Sequence, residues 1–225
     1  MMKKLLSLAA AAALLFSLAA CGQTGASAAA APSAGTDRTA PSVSEPEAPT
    51  AAPSEVAAPP EAAPAGKALI VYFSWSPSGN TEKMAAVIQE HTGGDLLKLE
   101  PAVAYPTDYS ECGDVAKLER DENARPEIAN LPASLDEYDT IFIGYPIWWH
   151  TAPMIIGTFL EHYDLSGKEV YPFSQSASMD TEQFANSMDF VRTSAAGAAV
   201  HDGLFVNASD ADGILAYLAE NGFAQ

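Results

Sequence analysis

The sequence predicts an α/β domain in which an open, doubly wound parallel sheet carries helices on both faces. Two uninterrupted apolar runs, residues 68–73 and 139–144, are typical of strands buried on both faces. Segments with apolar residues at helical spacing follow them, and this alternation favours a parallel sheet with right-handed crossovers. Nearly all the aromatic residues lie in residues 67–225, a length that suits one domain with one core.

The first half of this domain contains two predicted strands and two predicted helices. Ala68–Phe73 is a strand because it is apolar throughout. Thr81–His91 is a helix because its apolar residues recur on one face before the Gly93–Gly94 pair stops it. Asp95–Leu99 is a second, shorter strand, and the Pro-rich and acidic stretch after it is expected to be irregular except for a helix at Ser110–Asn123.

The next elements repeat the alternation. Asp139–Gly144 is the third strand, and Pro153–His162 is a helix with its large apolar residues on one side. Glu169–Phe173 is the fourth strand, followed by a helix at Asp180–Thr193. Val200–Val206 is predicted to be the fifth strand.

The chain ends in a predicted helix, Ser209–Asn221, in which Ser209 and Asp212 have the spacing of a capping box. Ligands of a doubly wound sheet bind at the carboxyl ends of its strands, near the point where the strand order switches. The loops after the first, third and fourth strands are therefore the candidate site.

The predicted domain is strongly acidic. Residues 67–225 contain 8 Lys and Arg against 24 Asp and Glu, a net charge of −16. Such a surface repels phosphate backbones and argues against nucleic-acid binding. The two cysteines, Cys21 and Cys112, exclude a disulfide framework, and the four histidines lack metal-ligand spacing. Cys112 is expected to be an inert surface thiol.

Residues 1–20 are predicted to be an export signal. Met1–Lys4 is positively charged, and Leu5–Ala20 is an apolar run too short and too rich in Ala for a membrane span. Leu18–Gly22 resembles the lipobox of bacterial lipoproteins, in which the peptidase cuts before a cysteine that carries a diacylglycerol group. The resemblance implies that Cys21 is lipidated and that the protein is anchored at the extracytoplasmic face of a bacterial cell membrane.

Residues 21–66 are predicted to be a disordered tether. Gly22–Gly66 contains fifteen Ala, eight Pro and no aromatic residue. Such a segment has little apolar surface to bury against the entropic cost of ordering, and its prolines stiffen it. The tether is expected to hold a carrier or catalytic domain, residues 67–225, away from the membrane.

The loop after the first strand has the composition of a phosphate cradle. Residues 74–81 read Ser-Trp-Ser-Pro-Ser-Gly-Asn-Thr and enter a helix without any Lys or Arg. Hydroxyls, backbone N–H groups and a helix amino terminus can hold a phosphate without cationic side chains. The loop lacks the Lys of a nucleotide P-loop and the spaced glycines of a Rossmann turn. An ordinary Ser-rich capping turn is the alternative.

The loop after the third strand carries a cluster of aromatic residues. Residues 144–151 read Gly-Tyr-Pro-Ile-Trp-Trp-His-Thr, with a Tyr and two Trp at the predicted ligand edge. Aromatic rings there suit stacking on a flat heterocycle. The alternative is that these rings pack into the hydrophobic core. That interpretation is the better one for a single Trp, but not for both Trp residues.

Taken in order, these motifs resemble those of the flavodoxin-like family, in particular a bacterial group within it. The shared motifs are Tyr72–Ser74 with Gly79–Thr81, Arg125–Ile128, Gly144–Trp149, Phe159–Glu161 and Leu165–Lys168. The resemblance covers nearly all of residues 67–225. It implies a five-stranded parallel sheet of order 2-1-3-4-5 that binds FMN.

Carried onto this sequence, the resemblance implies an FMN site built from three loops. The first loop would hold the phosphate, and because it is longer than the family's shortest form, either Ser74 or Ser76 takes the first hydroxyl position. The second loop would flank the flavin ring, and the third, residues 174–179, would contact the ring edge. The implied cofactor-binding residues are Ser74, Ser76, Ser78, Gly79, Asn80, Thr81, Tyr145, Pro146, Ile147, Trp148, Trp149, Ser174, Gln175 and Ser176.

The resemblance implies an FMN-binding redox lipoprotein that transfers electrons to a redox partner protein or a small quinone-like acceptor. An FMN-dependent NAD(P)H or quinone oxidoreductase is the alternative, and a cofactor-free binding lipoprotein on the same fold is the alternative from another class. The acidic surface and the lack of a recognisable nicotinamide motif favour the carrier. No side chain is assigned a catalytic role, because the cofactor supplies the redox chemistry.

Overall fold

Six strands and five helices make up residues 66–223, the part of the chain that the computed structural model describes. In chain order they are β1 (Lys67–Tyr72), α1 (Asn80–Thr92), β2 (Asp95–Lys98), α2 (Tyr109–Asp121), β3 (Tyr138–Pro146), α3 (Met154–His162), β4 (Glu169–Gln175), α4 (Thr181–Ser194), β5 (Ala199–Val200), β6 (Leu204–Phe205) and α5 (Ala211–Glu220). The predicted signal and the tether up to residue 65, with Cys21, lie outside the described residues. None of the described helices is long and apolar enough to cross a membrane.

All the strands are parallel, and their order is β2-β1-β3-β4-β5, with β6 pairing to β4. This confirms the predicted order 2-1-3-4-5. Two hydrophobic cores cover the two faces of the sheet: one is formed with α2, α3 and α4, and the other with α1 and α5. The carboxyl ends of β1, β3 and β4 therefore meet at one edge.

The two cores follow from the alternation of side chains along the buried strands. In β3, Ile141 and Ile143 face the core with α3, while Phe142 faces the core with α1, and all three are fully buried. Burying a side chain of this size contributes roughly 1.5–3 kcal/mol. An apolar run without alternation is therefore what a strand covered on both faces requires.

The predicted fifth strand, Val200–Val206, is broken into β5 and β6. The carbonyls of Lys168 and Val170 accept hydrogen bonds from Ala199 (3.0 Å) and His201 (2.9 Å), so alternate residues of β4 face the fifth strand. Pro172 is the next residue in that alternation, and it has no N–H to donate. The ladder is therefore interrupted beside Pro172 and resumes where Phe173 pairs with Leu204.

Two further details of the prediction are corrected. β3 and β4 extend past their predicted ends to Pro146 and Gln175, because these residues still pair with each other. The last helix is capped by Asp210, whose side chain accepts from the Gly213 N–H (3.0 Å), and not by a capping box that starts at Ser209. Asp at this position satisfies one of the amides left free at a helix start.

Candidate functional site

The three predicted loops lie next to one another at the carboxyl edge of the sheet. The first loop (residues 73–79) touches the second (residues 147–153) through the rings of Trp75 and Trp148, whose centroids are 6.1 Å apart. The second loop joins the end of β4 because the Ile147 N–H donates to the Gln175 carbonyl (3.2 Å). The third loop (residues 176–180) follows directly. The three loops can therefore contribute residues to a single site.

The first loop leaves the amino end of α1 open. Gly79, the N-cap residue, has a left-handed backbone (φ 59°), and no side chain among the described residues caps the helix. The hydroxyls of Ser76 and Ser78 are hydrogen-bonded to each other, and the Ser78 N–H donates to Ser76 Oγ (3.2 Å). Uncapped amides at a helix start need an acceptor, and together with exposed hydroxyls they suit an anion such as a phosphate.

Trp148 anchors the second loop in an aromatic cluster. Its ring makes edge-on contacts with Phe73 and Tyr105, each with centroids 5.3 Å apart, as well as with Trp75. Trp75 is itself fixed, because its Nε1–H donates to the Pro106 carbonyl (2.9 Å). Such edge-to-face arrangements are favourable and directional. The cluster therefore fixes the wall between the first and second loops.

Trp149 and His150 form a tight turn with an unusual backbone. The N–H and C=O groups of Trp148 and Thr151 exchange hydrogen bonds (2.9 and 3.0 Å), and the two residues between them have φ angles of 46° and 65°. This is the geometry of a type I′ turn, which favours Asn and Gly. Residues other than Gly or Asn in this region are strained by roughly 1–2 kcal/mol each. Trp149 nevertheless adopts this left-handed conformation, and the residue is 41 % exposed.

The strain predicts that His150→Gly stabilises the protein without cofactor by about 1 kcal/mol, since Gly adopts positive φ without steric cost. Urea unfolding followed by circular dichroism measures the change. Thr151→Ala is the control, because Thr151 contributes only backbone hydrogen bonds to the turn. A lower urea midpoint for His150→Gly would show that the turn carries no such strain.

A cavity of about 460 Å³ lies between the second loop and α2. A volume of this size is within the range of small-molecule and cofactor sites. The loops contribute Trp75, Ile147, Trp148, Trp149 and His150, and the helices contribute Tyr109, Ser110, Cys112, Gly113, Asp114, Ala116 and Gln183. Its lining is mainly aromatic and apolar with a few polar groups, which suits a flat heterocycle.

Two of the predicted site residues have side chains that lie in the core and not at the ligand edge. The Tyr145 side chain is fully buried and its hydroxyl is hydrogen-bonded to that of Ser187 (3.2 Å), so burial raises the Tyr145 pKa. The side chain of Ser174 is also fully buried and donates to the Tyr145 carbonyl (2.8 Å). The predicted contacts of the Tyr145 ring and the Ser174 hydroxyl with the ligand are therefore wrong, while a contact of Ser174 through its backbone stays a prediction.

The remaining predicted residues fall into three groups. Ile147, Trp148 and Trp149 line the cavity, whereas Pro146 closes β3 beside it. The residues predicted for the phosphate surround the start of α1; they are Ser74, Ser76, Ser78, Gly79, Asn80 and Thr81. Gln175 ends β4 and Ser176 begins the third loop, and neither lines the cavity. The structure thus separates the uncapped start of α1 from the aromatic cavity, with Trp75 between them.

Cys112 lines this cavity, although the sequence suggested a surface thiol. Its side chain is only 3 % exposed, and burial raises the pKa of the thiol to about 11. Cys112 is therefore a neutral thiol at physiological pH and a poor nucleophile. Its position is set by α2, whose amino end is capped by Asp108.

The family model described as flavodoxin matches residues 67–221 of the chain. The chain belongs to the flavodoxin family. The strand order and the three loops at the carboxyl edge agree with this membership. No curated protein matches the chain significantly.

Several solved structures resemble this flavodoxin-family chain. A proposed flavoprotein of Bacteroides uniformis is 32 % identical with a TM-score of 0.61, and the match covers 68 % of this chain and 98 % of that one. A proposed flavoprotein of Bacteroides eggerthii is 33 % identical with a TM-score of 0.60, covering 68 % and 96 %. A flavoprotein of Lactobacillus acidophilus in complex with FMN is 28 % identical with a TM-score of 0.54, covering 66 % and 97 %.

A carboxyl group of this flavodoxin-family protein lies behind the aromatic cluster. Glu119 of α2 accepts a hydrogen bond from the Tyr105 hydroxyl (2.8 Å), and Tyr105 packs against Trp148. Burial raises the pKa of Glu119 above its ordinary value of 4.5, and the hydrogen bond from Tyr105 offsets only part of that rise. The folded protein therefore binds this proton more tightly than the unfolded chain does.

The sign of this shift gives a pH dependence. Wild-type stability should fall as the pH rises from 4.5 through the raised pKa of folded Glu119, because the unfolded chain loses the proton first. Glu119→Gln cannot titrate and still accepts from Tyr105, so its stability relative to wild type should rise over that interval. Urea midpoints at a series of pH values measure the difference, with Glu122→Gln, at the residue that caps the end of α2, as control. Parallel curves for Glu119→Gln and wild type would refute the assignment.

The two arginines between β2 and β3, Arg120 and Arg125, form local ion pairs. Arg120 binds Asp121 (2.6 Å), and Arg125 binds Glu161 with both Nε and Nη2 (2.7 and 2.6 Å). The bidentate pair holds residues 123–125 against α3, and the guanidinium lowers the pKa of Glu161.

Proposed function

We propose that this protein is an FMN-binding electron carrier anchored by a lipid at the extracytoplasmic face of a bacterial cell membrane. The observation that carries the proposal is the juxtaposition of an uncapped, hydroxyl-rich helix start with an aromatic cavity, joined through Trp75. An anion and a flat ring are the two ends of FMN. The FMN-bound relative from Lactobacillus acidophilus supports the same cofactor.

The residues fit FMN at both ends. Ser76, Ser78 and the first amides of α1 would hold the phosphate, with Ser74 as the alternative first hydroxyl. Trp148 and Trp149 would contact the ring and exclude water from one side of it. Bound FMN supplies one-electron or hydride transfer, and the protein orients it and tunes its potential.

The charge of the site favours the oxidised cofactor. The first loop contains no Lys or Arg, and the first-turn Glu82 is paired with Lys98 (3.0 Å). Residues 67–225 carry a net charge of −16. Negative surroundings disfavour the extra charge that electron uptake brings, so we expect a midpoint potential below that of free FMN, as suits an electron donor to a partner protein or quinone-like acceptor.

Steady-state kinetics test the carrier against the reductase. FMN-loaded protein should reduce a one-electron acceptor such as cytochrome c after chemical reduction, and it should not oxidise NADH or NADPH faster than free FMN does. Free FMN at equal concentration is the control. Sustained NAD(P)H oxidation with a quinone acceptor would instead assign the protein as an oxidoreductase and refute the carrier.

The membrane anchor is tested separately. The lipobox-like segment Leu18–Gly22 supports lipidation of Cys21. In a bacterial host, wild-type protein should incorporate labelled fatty acid and sediment with membranes, whereas Cys21→Ala should do neither. Cys112→Ala is the matched control and should behave as wild type. Labelling of Cys21→Ala would overturn the anchor.

A further inference from the structure

Helix α2 makes several contacts with Trp149, which lies in the strained turn of the second loop. The Trp149 Nε1–H donates to the Gly113 carbonyl (2.8 Å). Arg120 Nη1 donates to the Trp149 carbonyl (3.2 Å), and the Arg120 guanidinium lies 5.5 Å from the centre of the indole ring. One helix therefore holds the backbone, the indole nitrogen and the ring face of the same residue.

The position of Arg120 is fixed in turn by its neighbours on α2. Its Nε and Nη2 donate to Asp121 Oδ1 (3.0 and 2.6 Å), and Lys117 Nζ binds the other oxygen of Asp121 (2.5 Å). The side chain of Arg120 is therefore orientated before it meets Trp149. An orientated guanidinium loses less freedom on forming its contacts than a mobile one.

These contacts explain why Trp149 keeps a backbone that Trp rarely adopts. The two hydrogen bonds between Trp148 and Thr151 close the turn whatever residues stand inside it. A bulky residue at positive φ persists only where its surroundings determine its conformation, and such residues cluster at functional sites. Two of the three contacts from α2, the hydrogen bond to the Gly113 carbonyl and the contact of the guanidinium with the ring, are specific to the Trp149 side chain, which lines the cavity.

We propose that Arg120 is a positioning residue that holds Trp149 as a wall of the cofactor cavity and thereby sets the affinity and the midpoint potential of bound FMN. The inference rests on the proposed function. Arg120 does not line the cavity, so it acts through Trp149. The Arg120 guanidinium, 5.5 Å from the centre of the indole ring, also places a positive charge behind this wall.

The test compares Arg120→Met, which keeps the length of the side chain but removes its charge and donors, with Arg120→Lys and Arg192→Met. Arg192 is the matched control because it lies near the carboxyl end of α4, where it pairs with Asp189 (3.7 Å) and Asp202 (3.3 Å), and it does not line the cavity. Three quantities are measured on the full chain: hydrogen exchange of the Trp149 indole N–H by NMR without cofactor, and the FMN affinity and the midpoint potential with it.

In Arg120→Met we expect faster indole exchange, an FMN dissociation constant raised roughly tenfold, and a shifted midpoint potential. Arg120→Lys should fall between Met and wild type, and Arg192→Met should match wild type. Asp121→Asn should shift indole exchange and FMN affinity in the same direction by less, and it serves as the second variant if Arg120→Met does not fold.

Three results would overturn the proposal. The first is wild-type indole exchange in Arg120→Met. The second is faster exchange with unchanged FMN affinity and potential, which would show that Trp149 is held but does not serve the cofactor. If wild-type protein binds no FMN, the proposed function fails and the role of Arg120 toward the cofactor fails with it, while the exchange measurement still decides whether Arg120 holds Trp149.

Discussion

Gly144→Ala is expected to lower the free energy of unfolding by about 3 kcal/mol, at the upper end of the range for overpacked cores. Gly144 lies in the central strand β3, opposite Phe173 of β4. A β-carbon on Gly144 would lie 2.1 Å from Cζ and 2.3 Å from Cε2 of Phe173. The Phe173 ring is fully buried and cannot swing into solvent. The glycine of the Gly-Tyr-Pro-Ile-Trp-Trp motif is therefore structural.

Urea unfolding of the protein without cofactor measures this effect. Gly113→Ala is the matched control, because a β-carbon there meets nothing within 4 Å and Ala favours helix by up to about 1 kcal/mol. Gly113→Ala should therefore be neutral or stabilising. A wild-type urea midpoint for Gly144→Ala would contradict the packing of Phe173 over this strand.

Replacing both Ser76 and Ser78 by Ala is expected to weaken FMN binding about 100-fold while leaving riboflavin binding unchanged. The two hydroxyls lie at the uncapped start of α1. A hydrogen bond to a charged group contributes about 1.5–3 kcal/mol, so losing two costs at least about 3 kcal/mol, which corresponds to roughly 100-fold or more in affinity. Riboflavin lacks the phosphate and so reports on the ring cavity alone.

Fluorescence titration of both ligands measures this difference. Ser178→Ala in the third loop is the control, and Ser74→Ala decides whether Ser74 or Ser76 takes the first hydroxyl position. An equal loss for FMN and riboflavin would show that Ser76 and Ser78 support the fold of the loop and do not bind a phosphate.

Much of the fold was predictable because the signals are local. The apolar runs of β1 and β3 and the Gly93–Gly94 stop after α1 report burial and chain reversal without knowledge of their neighbours. The break between β5 and β6 was not predictable in this way. It depends on Pro172, a residue of the adjacent strand, so it appears only once the pairing is known.

The sequence predicted which loops form the site, but it did not predict which helices contribute residues to it. Tyr145 was misplaced because β3 was taken to end at Gly144; two-residue alternation would otherwise have put it on the face of Ile141 and Ile143. The contributions of Gly113 and Arg120 carried no sequence signal, because α2 reaches the second loop only through tertiary packing.

The central claim is that the carboxyl edge of the sheet binds FMN, and titration of the purified full-length chain with FMN tests it most directly. We predict saturable one-to-one binding that quenches both flavin and Trp fluorescence, lost or strongly weakened in Trp148→Ala and Trp149→Ala. Absence of binding at tens of micromolar FMN would contradict the account and leave a cofactor-free binding protein on the flavodoxin fold.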